Sequence, residues 1–116
     1  SNHPDLATSY NNIGNVYQGM GDYSQALRSH QASLEIRKKA LPSNHPDLAK
    51  AYGSIGNVRG RMGDYSQALT SHQTSLEIRK KALPSNHPDL ATSYNNIGNV
   101  YQGMGDYSQA LRSYQT

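Results

Sequence analysis

The amino-acid sequence predicts an all-α protein, an α-solenoid of tandem helix-turn-helix hairpins. Three observations favour this fold. A segment of 42 residues recurs without insertion or deletion, each copy holds two stretches with the apolar spacing of an α-helix, and a glycine-containing turn separates those stretches. The 116 residues make about 2.75 repeats, so we expect six helices, the last of them cut short at Thr116.

The repeats are nearly identical and in phase. The segment Ser-Asn-His-Pro-Asp-Leu-Ala opens the chain and returns twice at the same interval. The first two repeats share 33 of 42 positions, and the first and the partial third share 30 of 32. Because a hairpin of this kind buries its apolar face only against its neighbours, we interpret the whole chain as one array. It is a single domain, 1–116, with repeats at 1–42, 43–84 and 85–116.

The first helix of each repeat is indicated by one apolar face. In the first repeat the apolar side chains recur at intervals of three and four residues, as one side of a helix requires. They are Leu6, Tyr10, Ile13 and Tyr17. Pro4 suits the first helical position, where an N–H is not needed, and Asp5 favours the positive helix start. The helix should end near residues 19–21, where Gly-Met-Gly lets the chain turn.

The second helix should begin at a cap and end at a proline. Asp22 and Gln25 form an Asp–Gln variant of the capping box. Three basic residues at 37–39 complement the negative end of the helix dipole, and Pro42 forbids continuation. The predicted apolar stripe consists of Tyr23, Ala26, Leu27, His30, Leu34 and Leu41. Two helices per period therefore predict one α-hairpin per repeat.

Composition excludes several classes of function. Only 34% of residues are hydrophobic, which suits an elongated array better than a compact globule. The absence of cysteine excludes disulfides and thiolate sites, and a net charge of +3 is too small to predict nucleic-acid binding. No apolar run is long enough to span a membrane, so we expect no membrane partner and a cytoplasmic location.

The polar residues give no pattern typical of catalysis or of metal binding. His3, His45 and His87 occupy the same repeat position, one repeat apart, which is too far to share a metal ion. His30 and His72 lie on an apolar stripe and are interpreted as packing residues. The aspartates recur at helix starts, where capping accounts for them. We therefore expect no enzyme activity, no metal and no cofactor.

Several residues stand at the spacings of the tetratricopeptide repeat (TPR) signature. They are Tyr10, Ile13, Gly14, Tyr17, Gly21, Asp22, Tyr23 and Ala26. The 42-residue length and the recurring Leu-Glu-Ile-Arg-Lys-Lys segment resemble the kinesin light chain and nephrocystin-type subclass. The resemblance implies a right-handed superhelix whose first helices line the concave side, with Gly14 allowing close helix approach. Two departures are His30 in place of an aromatic residue, and Arg59 in place of Tyr17, which predicts looser packing in the middle repeat.

A polar face lies opposite the apolar face of each first helix. At about 100° per residue, the Asn-rich positions of this helix cluster away from the apolar ones. By the resemblance this face is the groove, and an Asn amide can bind a peptide backbone because it both donates and accepts. The alternative is that Asn only solubilises the helix. The predicted groove residues are Asn11, Asn12, Asn15, Lys50, Asn57, Arg61, Asn95, Asn96 and Asn99.

The differences between repeats predict the character of a ligand. Seven of the nine differences between the first two repeats lie between Thr8 and Gly19 or at their counterparts. The middle repeat carries six cations against three acids, while the partial third carries one against two. Lys50 and Arg61 project on the groove side, so a peptide with acidic side chains or a free carboxylate is the expected partner.

The sequence therefore predicts a protein-interaction scaffold, and it leaves one alternative open. Near-identical repeats can also exist to self-assemble, because the end of one copy is complementary to the start of another. Leu6, Tyr10 and Tyr17 have no preceding hairpin to cover them, and the last helix stops shortly after Tyr114. Such contacts do not close on themselves and favour open superhelical filaments, or an exchange of terminal helices between chains.

Overall fold

Six helices form the fold of residues 4–115, which are the residues that the structure, a computed structural model, describes. The expectations for His3, for the side chain of Asp5 and for Thr116 lie outside the described residues. No strand occurs between residues 4 and 115, so the predicted all-α class and helix number are confirmed. The helices are α1 (Pro4–Gly19), α2 (Tyr23–Ala40), α3 (Pro46–Arg61), α4 (Tyr65–Ala82), α5 (Pro88–Met104) and α6 (Tyr107–Gln115).

Glycine ends the first helix of each hairpin, as predicted. Gly21 has φ of 81°, a left-handed conformation that costs glycine little. Its N–H donates to the carbonyl of Gln18 at 3.0 Å, and the Asp22 N–H donates to that of Tyr17 at 2.9 Å. This pair of bonds is the Schellman motif, which satisfies the last free carbonyls of α1. Gly63 and Gly105 make the same turn in the other two repeats.

Aspartate caps each second helix, but only half of the predicted capping box forms. The Oδ1 atom of Asp22 accepts a hydrogen bond from the Gln25 N–H at 3.3 Å. The reciprocal bond needs the Asp22 N–H, and that group already donates to Tyr17 in the turn. The tight turn thus replaces the second half of the box.

Histidine, rather than the expected aspartate alone, starts the first helices of the second and third repeats. The Nδ1 atom of His45 accepts from the Asp47 N–H at 3.1 Å, and Pro46 follows at the first helical position. His87 and Asp89 repeat this geometry at α5. These histidines therefore have a structural role as helix caps.

Each hairpin closes on a ring that lies against a glycine. A Cβ atom added to Gly14 would stand 2.8 Å from the His30 ring, and one added to Gly56 would stand 2.7 Å from that of His72. In the third repeat Gly98 and the Tyr114 ring are equally close. The glycine of the signature therefore permits the close helix approach that the sequence predicts.

Adjacent hairpins pack through apolar clusters at two junctions. The first junction joins α2 to α3 through Leu34, Leu48, Ala51 and Ile55, and the second joins α4 to α5 through Leu76, Leu90 and Ile97. In addition, the first helix α3 contacts the next first helix, α5. The first helices α3 and α5 therefore lie side by side, and we call the side of the array that they form the inner side.

The uncovered apolar side chains of α1 include two beyond those expected. Leu6, Tyr10 and Tyr17 are half-buried, and their apolar counterparts in the later repeats belong to the junction clusters or pack against them. The most exposed apolar residues of α1 are Ile13 (45% exposed) and Val16 (63%). Their counterparts at the first junction, Ile55 and Val58, are 5% and 0% exposed, because the preceding hairpin covers them.

Candidate peptide-binding surface

A cleft of about 440 Å³ opens on the inner side between α3 and α5. Its walls come from the first helices, and the start and middle of α4 supply part of its floor. One residue of α1, Gln18, also lines it. The lining residues are Gln18, Gly56, Asn57, Gly60, Arg61, Tyr65, His72, Asn96, Asn99, Val100 and Gly103.

A second cleft lies beside it, between α1 and α3. It is lined by Asn15, Gln18, Gly19, Met20, Gly21, Tyr23 and Arg61. Gln18 and Arg61 line both clefts. The two clefts therefore adjoin, and together they make one polar strip, which we call the inner surface.

The recurring asparagine of the first helices contributes to this strip in all three repeats. Asn15, Asn57 and Asn99 are each exposed. Asn15 lines the cleft beside α1, whereas Asn57 and Asn99 line the cleft between α3 and α5. Asn96 is half-buried and also lines the latter cleft.

Asn11 does not belong to the inner surface, contrary to the sequence-based expectation. Its side chain is only 8% exposed. The Nδ1 atom of His30 donates a hydrogen bond to the Asn11 Oδ1 at 3.1 Å. Asn11 lies on the flank of α1 that meets α2, so it serves the interior of its own hairpin. In the middle repeat this position is Gly53.

Three further predicted residues are exposed but lie outside both clefts. They are Asn12, Lys50 and Asn95. Lys50 is near the beginning of α3, whereas the clefts gather around its last two turns. Arg61 is consequently the only charged side chain that lines either cleft. Among the side chains that the structure describes, those of residues 6–115, no carboxylate lies within ion-pair distance of its guanidinium.

One asparagine of the strip is held by the last helix. The hydroxyl of Tyr114 lies within hydrogen-bond distance of the Asn99 Oδ1 and of the Gln102 Oε1. Because both amide oxygens only accept, the phenol donates its single proton to one of them at a time. This contact holds the oxygen of the Asn99 amide.

His72 brings an uncharged ring to the cleft between α3 and α5. Its side chain is 2% exposed. Burial, assisted by the positive charge of Arg79, lowers the pKa of His72 from 6.5 to about 4. The ring is therefore neutral near pH 7, and the positive charge of the inner surface comes from Arg61.

Sequence reasoning missed the contributions of the second helices to the clefts. Tyr65, at the start of α4, lies so close to Gly103 that a Cβ there would stand 2.7 Å from its ring. Tyr23 is the counterpart of Tyr65 in the first repeat, and it lines the second cleft together with Arg61. Arg61 occupies the repeat position that Gly103 has in the third repeat. One repeat position is Gly19 in the first repeat, Arg61 in the second and Gly103 in the third, and this difference was the sequence signal that could have indicated these contacts.

Other kinds of site find no support in the part of the chain that is described. No group of three or more His, Asp or Glu side chains is placed to hold a metal ion among the side chains of residues 6–115. None of the helices in that range combines the length and apolar character that crossing a membrane requires.

Comparisons with known proteins agree with the geometry. A family model described as tetratricopeptide repeat matches residues 5–81 and 47–116. BtubC (BKLC) from P. vanneervenii has a similar structure, with a TM-score of 0.90 and 23% identity, covering 98% of this chain and 46% of that chain. A putative kinesin light chain of Podosopora anserina with nearly identical TPR-like repeats gives a TM-score of 0.85 and 24% identity, covering 97% and 54%.

A third similar structure is the TPR domain of Arabidopsis FLU, with a TM-score of 0.83 and 22% identity, covering 96% of this chain and 90% of that domain. The chain spans about half the length of the first two structures. No curated protein sequence matches it. At these identities the three structures share the fold with this chain.

Proposed function

Because the chain belongs to the tetratricopeptide repeat family, a family of protein-interaction modules, we propose that it is a non-catalytic scaffold that binds a peptide segment along its inner surface. The observation that carries this proposal is the position of Arg61. It is a cation without an acidic partner among the described residues, and it lines both clefts between amide side chains.

The amide side chains suit an extended peptide. Asn15, Asn57 and Gln18 each offer two N–H donors and one oxygen acceptor. A peptide backbone presents the complementary alternation of carbonyl and N–H groups. Binding through the backbone fixes the direction and position of the segment and leaves selection among sequences to other contacts.

The charge of the inner surface favours an acidic ligand. A carboxylate placed between the two clefts would meet the Arg61 guanidinium, with Asn57 and Gln18 beside it. Arginine binds carboxylates with two parallel hydrogen bonds, which are stronger than neutral ones. Lys50, about three helical turns away on α3, adds to the attraction at longer range. The ligand we propose is thus a peptide with acidic side chains or a free C-terminal carboxylate.

Fluorescence anisotropy with labelled peptides tests this proposal. Acidic peptides should bind more tightly than the same peptides with Gln in place of Glu, and the difference should shrink as salt rises. Arg61→Gln should lower the affinity for acidic peptides by about tenfold or more, which is the effect of losing a hydrogen bond to a charged group. Lys80→Gln is the matched control, because Lys80 is exposed on α4 beside Glu77 and lies outside both clefts.

Two results would contradict the proposal. Equal weakening by Arg61→Gln and Lys80→Gln would mean that only net charge matters. Binding that is insensitive to salt and to both substitutions would mean that the ligand does not use the inner surface.

End-to-end self-assembly is a second candidate, favoured by the exposed apolar residues at the two ends. Ile13 is 45% exposed on α1, and Leu111 is 58% exposed on α6. Their counterparts inside the array pack together: Ile55 with Leu27 at the first junction. A copy placed head to tail would therefore repeat a junction that the chain already forms internally.

Sedimentation with complementary variants tests the assembly. Ile13→Glu blocks one end and Leu111→Glu blocks the other, so each variant alone should remain monomeric at concentrations where the unmodified chain grows in mass. An equimolar mixture retains one intact pair of ends and should form dimers and nothing larger. A chain that stays monomeric at millimolar concentration, or a mixture that stays monomeric while the unmodified chain grows, would rule out this contact.

A further inference from the structure

A third cleft lies on the opposite side of the array, at the first junction between hairpins. Its volume is about 400 Å³. The second helices α2 and α4 form its walls, and α3 forms its floor. We call it the outer cleft. It is lined by Gln31, Leu34, Glu35, Tyr52, Ile55, Arg59, Gln67 and Ser71, none of which lines the clefts of the inner surface.

The second junction offers an internal comparison, because its counterpart residues are almost the same. Seven of the eight lining positions carry the same amino acid 42 residues later. The single difference is Arg59, whose counterpart is Tyr101. Tyr101 packs against the apolar cluster of Leu76, Leu90 and Ile97. In the second junction, therefore, a phenol ring of the chain itself packs at the position that Arg59 holds in the outer cleft.

Arg59 is held to one side of the outer cleft. Its Nη1 atom lies 3.3 Å from the Oδ2 atom of Asp64, the residue that caps α4. The ion pair draws the guanidinium toward the hairpin turn. Arg59, a long side chain whose guanidinium pairs with Asp64, thus stands where Tyr101 packs a flat ring against the apolar cluster.

The remaining walls suit an aromatic ring with a polar edge. Leu34 on α2 and Ile55 on α3 provide an apolar surface, and both belong to the first apolar cluster. Tyr52 provides a ring against which another ring packs edge to face or offset. At the rim, Glu35 accepts hydrogen bonds and Gln67 both donates and accepts, which matches the hydroxyl of a phenol.

The geometry points to a second interaction site, in which the outer cleft receives a tyrosine side chain of a partner protein. The chain's own second junction identifies this occupant, because the same surroundings there hold the ring of Tyr101. The middle repeat has Arg59 where the other repeats have tyrosine. The partner's ring would lie where the tyrosine ring packs in the third repeat. The site is independent of peptide binding along the inner surface.

Chemical-shift mapping with small probes tests this assignment. N-acetyltyrosinamide, titrated through the millimolar range into the isotopically labelled chain, should shift the backbone amides of Gln31, Glu35, Gln67 and Ser71. N-acetylleucinamide is the control for apolar bulk without a ring. Shifts confined to these four amides and specific to the tyrosine probe are the expected result.

Two substitutions use the repeat as its own control. Arg59→Tyr installs the residue that the other repeats carry, so it should fill the cleft and remove the shifts while the chain stays folded. Tyr101→Arg should open the same space at the second junction and produce new shifts at Gln73 and Gln109, the counterparts of Gln31 and Gln67. Thermal unfolding of each variant establishes that it is folded.

Three outcomes would overturn the assignment. The first is that the tyrosine probe binds nowhere on the unmodified chain, and the second is that it binds Arg59→Tyr as well as it binds the unmodified chain. Equal shifts from the leucine probe would show that the cleft selects apolar bulk and not a phenol ring.

Discussion

Arg79 and Ser93 join the second and third hairpins by a hydrogen bond of 2.8 Å from Nη1 to Oγ. The same arginine also donates to the carbonyl of Asp89 at 3.3 Å. At the first junction the corresponding arginine is Arg37, which is 9% exposed, and its Nη1 atom has no hydrogen-bond partner. The reason is visible in the sequence, because the counterpart of Ser93 is Ala51.

Ala51→Ser should therefore stabilise the chain. The added hydroxyl would give Arg37 the acceptor that Arg79 has, and a hydrogen bond to a charged group is worth about 1.5–3 kcal/mol. Serine is a weaker helix former than alanine by about half a kcal/mol, so we expect a net gain of about 1 kcal/mol in the free energy of unfolding. Urea denaturation at neutral pH measures it.

Ser93→Ala is the control for this prediction and should act in the opposite direction. It leaves Arg79 with only the longer bond to Asp89, so we expect a loss of about 1 kcal/mol. If both substitutions changed stability in the same direction, the hydrogen bond across the junction would not be the cause.

Acidification should destabilise the chain in a defined pH range. The pKa of His72 is lowered to about 4 in the folded chain, and the pKa of His30 is also lowered, in both cases chiefly by burial. The unfolded chain, with an ordinary value of about 6.5, binds these protons first as the pH falls. The stability that depends on the neutral ring of His72 is thus fully present above pH 6.5 and is lost as the pH falls toward 4, and His30 acts in the same direction.

The contribution of His72 to this loss is about 3 kcal/mol, because each unit of pKa difference corresponds to about 1.4 kcal/mol. Denaturant unfolding at several pH values measures the slope. His72→Tyr places in this position the residue that the third repeat carries at Tyr114, and it should make the slope shallower. An unchanged slope in that variant would assign the acid sensitivity to other groups.

The cap of α4 should contribute more to stability than the equivalent cap of α2. Asp22 and Asp64 each accept from a backbone N–H at 3.3 Å, so Asp→Ala should cost about 1 kcal/mol at either position. Asp64 in addition forms an ion pair with Arg59. Asp22 has no such partner in the described part of the chain, because the first repeat has Tyr17 at the position of Arg59. This half-exposed ion pair adds at most about 1 kcal/mol.

Thermal unfolding of Asp22→Ala and Asp64→Ala at low and high salt separates the two contributions. The extra cost at Asp64 should decrease as salt screens the pair with Arg59, while the cost at Asp22 should change little. The prediction fails if the two variants have the same stability at low salt.

The fold was predictable from the sequence because its signals act over a few residues. Gly21 stops a helix and Asp22 starts the next one, whatever the rest of the chain does. The repeat then multiplies each signal, so the number of helices and their order follow directly. The capping by His45 was not predicted, because imidazole caps helices less often than aspartate or serine.

The surfaces were less predictable, because they depend on contacts between helices. A helical projection put Asn11 with the other asparagines, yet its partner His30 is nineteen positions away and lies on α2. The same projection could not tell that Ile13 would be exposed while Tyr10 on the same face is half-buried. The place of His72 in a cleft depends on α5, which belongs to the next repeat.

Two glycines of α3 should respond to alanine in opposite ways. A Cβ atom on Gly56 would stand 2.7 Å from the Nε2 atom of His72 and 2.9 Å from two ring carbons. The ring is 2% exposed, so either the ring or one of the two helices must shift to admit the methyl group. Gly53 lies one turn earlier, and its added Cβ would meet nothing closer than the Ser75 Oγ at 3.9 Å.

We therefore expect Gly56→Ala to cost about 1–3 kcal/mol, as overpacking does, after the gain in helix propensity has been subtracted. Gly53→Ala should stabilise the chain by about 1 kcal/mol, because alanine is the better helix former and the site has room for it. Urea denaturation of both variants measures the difference, with helix propensity cancelling between them. Equal effects would mean that the His72 ring moves aside without cost, and that the close approach of α3 and α4 does not require a glycine.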